Sequence, residues 1–357
     1  MKETQMLYIM GIDWDWIYQR PHIFADKLSR DYRLTVIFPR SILKKKKKIP
    51  NKPGIKFHIL WTIPYQEKSR LIGKISALLN AGLFRNLNRY QYVFIGYPLY
   101  ARYIPDDYKG SIIYDCMDNY EFLYPDSKRV ANILTQEVKL IQKSRLLIAS
   151  SESLRKKVDF IAGHPKSILI RNGTVSHDIH HITRPAPKTR YLLGYIGTIS
   201  SWFDFPLVES SLEMIPDIEY HLVGPVVIKK PYTTGIVYHG SIPHDTLWDA
   251  IKEYDCLIMP FIVNDIVLAV DPVKLYEYIA FGKCIISVYY PEIERLHDFV
   301  YFYNDRDEYI NLLLSLIEKH FPPKYSKEQQ QTFLNTNTWE KRYEILKKEM
   351  ELIKDEN

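Results

Sequence analysis

Residues 7–22 read LYIMGIDWDWIYQRPH, an apolar run that ends in two carboxylates one residue apart, Asp13 and Asp15. Such a pair at a strand end can hold a divalent metal against a diphosphate, because hard cations take oxygen ligands. The same stretch carries Trp14, Trp16, Arg20 and His22. A second concentration of reactive types lies at 269–288, AVDPVKLYEYIAFGKCIISV. Asp271-Pro272 breaks the preceding chain, Lys274 to Ala280 reads as a helix, Gly282 supplies its stop and a buried strand follows. Lys274 and Glu277 therefore occupy adjacent turns of one short helix whose start points at the carboxyl edge of a sheet. That position suits an anion, since the unpaired N–H groups of a helix start attract phosphate. In YDCMDNY (114–120), Asp118 follows a strand; it either faces a site at the sheet edge or caps the helix that begins near Tyr120.

The elements that position these groups follow from hydrophobic runs. Segments 7–12, 34–38, 92–96, 111–114, 146–150 and 167–170 are short and apolar, with the lengths of buried parallel strands. Helical patterns lie between them at 22–30 and 132–143. After a polar, turn-rich linker at 173–190 the grammar restarts, with runs at 192–196, 219–223, 235–238, 256–259 and 284–288 and helices at 206–215, 244–254 and 273–281. The expected fold class is α/β, two Rossmann-like doubly wound domains facing a central cleft. Trp339, Tyr343, Leu346, Met350 and Ile353 form one apolar stripe on a helix over 338–354.

The bulk properties bound the answer. The chain has 357 residues, enough for two domains, and 46% of them are hydrophobic, enough for full cores. No window approaches eighteen uninterrupted apolar residues and MKETQ lacks the features of a secretory signal, so a cytoplasmic protein is expected. Cys116, Cys256 and Cys284 are odd in number and each sits in an apolar run, as reduced core thiols do.

The pattern P-x-K-L-x-E-Y-x-A-x-G-K before a strand resembles the donor-binding signature of family 4 of the retaining, GT-B-fold glycosyltransferases. GYIGTISSWFD (194–204), YHLVGPV (220–226), YHGSIPHDTLWDAIKEYDCLIMPF (238–261), RNGT (171–174) and WDWIYQRPH (14–22) agree with it. Together they are similar to bacterial cell-surface polysaccharide enzymes of the teichuronic-acid-biosynthesis type. The resemblance implies that Glu277 accepts from the ribose hydroxyls of a nucleotide-sugar donor, UDP in preference to GDP, and that Lys274 contacts its diphosphate. A plain intrahelical salt bridge is the bland alternative. Gly240, Ser241 and Ile242 match the loop that reads the base, and Gly197-Thr198 the strand end near the phosphates, although both could be ordinary tight turns. The resemblance further implies a GT-B layout: an acceptor domain over 1–180, a donor domain over 185–335, and a final helix, 336–357, returning to the first domain. The implied route is same-face transfer, in which the leaving phosphate takes the acceptor proton.

Three departures matter. Ala269 stands where the family shows a Glu near the transferred sugar, leaving Asp271 as the nearest carboxylate. SSWFD (200–204) lacks the usual Arg and Lys, and Met117-Asp118 replaces a His-Asp pair. The leaving diphosphate still demands positive charge, for which Lys274 and Arg20 are the available donors, with Asp118 against the sugar. A non-catalytic scaffold subunit of the same shape is the alternative function.

In metal-dependent GT-A enzymes, which the chain does not otherwise resemble, Asp-x-Asp lies in mid-domain. Here it follows the first strand, so no metal and no other cofactor are expected. Asp13, Asp15 and Trp16 are instead assigned to the acceptor, with Trp16 alternatively in the core. His22 is either a general base or, as favoured, a structural residue of its helix. Residues 43–90 combine five lysines, Lys44 to Lys48, with a basic amphipathic segment, which suits an anionic membrane surface and a lipid-linked saccharide acceptor. No nucleic-acid module is recognisable.

Overall fold

Strands that are apolar along their whole length and separated by helices pair in parallel, because a crossover returns the chain to the same end of the sheet. The computed structural model describes residues 4–44, 48–124, 126–174, 187–243 and 246–355. It divides into two compact units, 1–171 with 340–357, and 172–339. Most of the anticipated linker, 175–186, lies outside the described residues, as do Lys45 to Lys47.

The first unit runs β1 (Gln5–Ile9), α1 (Arg20–Asp31), β2 (Arg33–Ser41), β3 (Ile55–Thr62), α2 (Arg70–Asn80), β4 (Tyr92–Ile95), β5 (Ser111–Cys116), α3 (Tyr120–Leu123), α4 (Ser127–Lys143), β6 (Leu146–Ala149), α5 (Glu152–Ala162) and β7 (Ser167–Leu169). Its seven strands are parallel in the order β3-β2-β1-β4-β5-β6-β7, so the order reverses between β1 and β4. Met6 to Ile9 are inaccessible on both faces, as are Val93 to Ile95. That is why these strands read as continuous apolar runs.

The second unit runs β8 (Tyr191–Ile196), α6 (Phe205–Met214), β9 (Ile218–Val223), β10 (Ile236–Gly240), α7 (Leu247–Ile251), β11 (Cys256–Met259), α8 (Asp265–Leu268), α9 (Val273–Ala280), β12 (Cys284–Val288), β13 (Tyr301–Tyr303), α10 (Arg306–Glu318) and α11 (Lys327–Thr336). Its parallel order is β10-β9-β8-β11-β12-β13, with the reversal between β8 and β11. Both units are thus doubly wound, and each offers a crevice beyond its strand carboxyl ends where the order reverses. Cys116, Cys256 and Cys284 are buried free thiols, as their apolar settings suggest.

The last helix, α12 (Trp339–Asp355), buries Tyr343, Leu346 and Met350. From it, Tyr343 donates to Asp31 at 2.7 Å, and Glu340 pairs with Lys27 at 2.6 Å, both on α1. Two strands were not foreseen, β3 and β13. Both are edge strands: β3 mixes Lys56, His58 and Thr62 into its run, and β13 is a run of only three aromatic residues.

Candidate functional site

In the second unit the ends of the paired strands β8 and β9 carry glycine because backbones meet there. Gly197, after β8, has φ +136°, and Gly224, after β9, has φ +144°. A Cβ on Gly224 would fall 2.0 Å from the Gly197 carbonyl oxygen, and one on Gly197 would fall 2.2 Å from Cε of Lys274. The stem of Lys274 therefore lies along the bare backbone at Gly197. Gly240, at φ +69°, closes the row by accepting from the Gly224 N–H at 2.8 Å. Ser241 is exposed and Ile242 half-buried beyond it. Thr198 is half-buried, and its carbonyl accepts from the Tyr195 hydroxyl at 2.9 Å.

Helix α9 presents Lys274 and Glu277, both half-buried and one turn apart. The ammonium sits 5.7 Å from the centroids of Tyr195 and Phe261. Burial lowers the Lys274 pKa below the ordinary lysine value, and the Glu277 charge draws it part of the way back. An ammonium set on aromatic rings with little water gains strongly from an incoming anion.

The helix is held along its length. In its middle, the Tyr278 hydroxyl accepts from the Ile196 N–H at 2.9 Å and donates to the Ile258 carbonyl at 3.4 Å, tying α9 to β8 and β11. At its carboxyl end, Gln330 donates to the Ile279 carbonyl at 2.7 Å, joined by the Tyr325 hydroxyl at 3.3 Å. Ahead of it, Asp271 accepts from the Asn172 N–H at 2.7 Å, from the Tyr276 hydroxyl and from Arg295. This corrects the expectation for Asp271. Its carboxylate is 2% exposed and occupied by three partners, so it fixes the approach to α9 and has no room for a donor nucleotide. Tyr276, Tyr278, Arg295 and Gln330 were not read from sequence. The two tyrosines lie inside the motif, but Arg295 and Gln330 come from separate segments that only the fold brings near.

A cavity of about 400 Å³ at the ends of β11, β12 and β13 is lined by residues including Asp204, Val288, Tyr303, Arg306 and Phe261, the last shared with Lys274.

In the first unit, Arg20 is 4% exposed and binds Asp115 through two parallel bonds, Nε to Oδ2 at 2.9 Å and Nη2 to Oδ1 at 2.7 Å. Its Nη1 donates to the Ile170 carbonyl at 2.8 Å. Arg20 is thus a buried clamp between α1, β5 and the end of β7, which corrects its assignment to a diphosphate. Asp118, half-buried beyond β5, gains from this pair. Burial and then the Asp115 charge push its carboxyl up to about 6, with Arg20 opposing. It is not the cap of α3, a position held by Asn119.

Asp13 and Asp15 are also taken. Arg40, 1% exposed, bonds both, at 2.9 Å and 2.7 Å, and Lys44 reaches Asp13 at 2.8 Å. Burial alone would raise the Asp13 pKa, but the bonds from Arg40 and Lys44 outweigh it and hold the group at about 2. The pair neutralises a buried guanidinium, so the two carboxylates that the sequence assigns to an acceptor are already engaged in ion pairs. Trp16 is 57% exposed and so is not core. His22 is buried: Nδ1 accepts from Gln19 N–H at 3.3 Å and Nε2 meets the Trp14 carbonyl at 3.0 Å, so it closes the first turn of α1. Among the described residues no group of three or more His, Cys, Asp or Glu is placed to hold a metal ion.

A second cavity, of about 320 Å³, opens at the carboxyl ends of β1 to β4 and is lined by residues including Gly11, Tyr65, Glu67, Tyr97, Tyr124 and Arg129. The Arg129 guanidinium lies 3.5 Å from the Tyr124 ring centroid and pairs with Glu67. Sequence reading passed over these residues because they carry no motif; four separate loops and the first turn of α4 bring them together.

No protein-family model matches the chain. In sequence it is 27% identical over 282 residues to TuaH of Bacillus subtilis (strain 168), which carries the name of a teichuronic acid biosynthesis glycosyltransferase; the match spans 70% of this chain and 68% of that one. In structure it is similar to sucrose-phosphate synthase of Thermosynechococcus elongatus, with a TM-score of 0.76 at 11% identity, over 99% of this chain and 100% of the other. It is also similar to Anabaena HepE solved in complex with UDP, at 0.65 and 14% identity, with the same coverage. The α,α-trehalose 6-phosphate synthase of Burkholderia multivorans gives 0.68 at 11% identity, covering 99% of each chain. The fold is GT-B, two Rossmann-like domains, as the resemblance read from the sequence implies. The similarities in sequence and in fold agree with the recognition of a GT-B glycosyltransferase.

Proposed function

We propose that this chain is a retaining glycosyltransferase that moves a sugar from a UDP-sugar to a cell-surface polysaccharide or lipid-linked saccharide. The observation that carries the reading is α9, which is tied at both ends and in its middle and holds Lys274 and Glu277 beside the bare strand ends at Gly197 and Gly224. Such rigidity suits electrostatic catalysis, which works best when charges are aimed in advance. Glu277 takes the ribose hydroxyls, Lys274 the diphosphate, and the loop from Gly240 to Ile242 the base. The UDP complex of HepE and the name of TuaH support the donor and acceptor classes. In the reaction the bond from the sugar's anomeric carbon to the diphosphate breaks as the acceptor oxygen bonds to the same face. The acceptor proton passes to the departing phosphate oxygen. Lys274 supplies the opposing positive charge, so no metal cofactor is required, and Asp118 contacts the transferred sugar. The working position is the cytoplasmic face of an anionic membrane.

A second reading, a non-catalytic binding or scaffold subunit, is favoured by one finding: Arg20, the other candidate cation, is locked to Asp115. Calorimetric titration separates the two. UDP should bind with GDP weaker, Glu277→Ala should cost about tenfold or more, which is about 1.4 kcal/mol, and product should form from a UDP-sugar with a saccharide acceptor. Binding without transfer across a donor panel supports the scaffold, and no binding of either nucleotide at millimolar concentration overturns both.

A further inference from the structure

Helix α2 is inside out for a protein helix. It buries Ser76 and Asn80, and it packs its small and polar side onto β3 and the turn after it. Asn80 donates to the Trp61 carbonyl at 2.8 Å and accepts from the Trp61 N–H at 2.9 Å, while Ser76 donates to Gln66 at 2.5 Å. Gly73 completes this side, where a Cβ would fall 3.0 Å from the Gln66 carbonyl oxygen. The opposite side carries Leu71, Ile75, Leu78 and Leu79 at helical spacing, exposed by 68%, 52%, 79% and 53%. An ordinary surface helix turns such a stripe toward its own core. Ile42 and Leu43, also exposed, follow β2, and the Ile42 N–H bonds the Thr62 carbonyl at 3.0 Å, so they stand at the strand end that leads into α2.

The charge around this apolar face has one sign. Arg70, Lys74, Arg85 and Arg89 are exposed within and just after the helix. Between Ser41 and Tyr90 the sequence has twelve lysines and arginines and a single acid, Glu67, although the whole chain carries only +6. Glu67 is paired with Arg129. No helix among the described residues is long and apolar enough to cross a membrane.

We propose that α2 is a membrane-docking element, lying in the interface of an anionic bilayer with Leu71, Ile75, Leu78 and Leu79 inserted and the surrounding cations on lipid headgroups. Apolar insertion combined with attraction to negative lipid is the physics of interfacial helices, and a one-signed basic rim selects lipid over a second copy of the same positively charged surface. The cavity lined by Tyr65 and Glu67 opens from the segment that leads into α2. Docking would therefore bring that cavity to the headgroup level, where the saccharide of a lipid-carried acceptor is found; this purpose, though not the docking, rests on the glycosyltransferase reading.

The test is flotation of the full-length chain, without nucleotide, on vesicles of phosphatidylcholine alone or with about 30 mol% phosphatidylglycerol added to give the surface a negative potential. The wild type should float with the anionic vesicles and not the neutral ones. Leu71→Ser with Leu78→Ser and Leu79→Ser should reduce binding at least tenfold while the melting temperature holds. Arg70→Glu with Lys74→Glu should do the same in low salt. Failure of the wild type to float overturns the proposal, as does a lipid-free dimer that the serine variant dissociates. UDP titration of the same samples reports the donor site separately, so loss of one reading leaves the other intact.

Discussion

At the scale of single residues, the surroundings of Asp118 and Lys274 displace their pKa values in opposite senses, and each gives a signed expectation. Burial and Asp115 raise the Asp118 carboxyl to about 6. A carboxyl raised in the folded state holds its proton more tightly there than in the unfolded chain. Its contribution to stability is therefore full below the unfolded value, about 4, and is lost as pH rises through 6. Asp118→Asn should remove this loss and stabilise the protein at pH 7 by about 1–2 kcal/mol, read by denaturant melts at pH 4 and pH 7. In transfer assays the same variant should abolish an ionisation near 6 in the pH profile of kcat/KM. Lys274 has the opposite sense, its pKa lowered by burial. A bound diphosphate favours the ammonium, so UDP binding should take up protons and weaken as pH rises through the Lys274 pKa. Titrations in buffers of different ionisation enthalpy would measure that uptake, and Lys274→Met should eliminate it.

At the scale of elements, most of the sheet strands and α9 were legible because parallel strands leave continuous apolar runs and a motif helix carries its own stop. Two of the four edge strands, β3 and β13, were not, since Lys56, His58 and Thr62 break the run of β3 and β13 is only three residues long. For the site, Lys274, Glu277 and the strand-end glycines could be read, whereas the fates of Arg20, Asp13, Asp15 and Asp271 could not. Their partners lie far off in sequence, Asp115 at 95 residues from Arg20, Arg40 at 27 and 25 from Asp13 and Asp15, and Arg295 at 24 from Asp271, and a charge looks free until its counterion is located. Helix α2 shows the same limit: periodicity revealed its two faces, but not which one the fold would bury. The α9 site depends on close packing at Gly197. Gly197→Ala would push a methyl into the Lys274 stem and force a residue with a side chain to φ +136°. The expected cost is about 1–3 kcal/mol in stability, with UDP affinity reduced at least tenfold because Lys274 must move. Circular dichroism melts and calorimetry would measure the two effects separately.

At the scale of the molecule, the two units have separate sheets and cores, and single-transition unfolding is not the expectation for such a chain. Scanning calorimetry should resolve two transitions. UDP at a hundred times its Kd should stabilise one of them by about 2.7 kcal/mol, the one belonging to 172–339, and Glu277→Ala should cancel that shift. If UDP moved only the other transition, the donor site would lie elsewhere.

Helix α12 gives the chain an order of maturation. The unit that contains the first strand is also the unit that receives Glu340 and Tyr343, against Lys27 and Asp31 of α1. On the ribosome, every residue of 172–339 emerges before that unit has its closing piece. The half synthesised first is thus finished last, and until then the flank of α1 that meets Glu340 and Tyr343 waits uncovered, a surface that a chaperone could shield and a protease could reach.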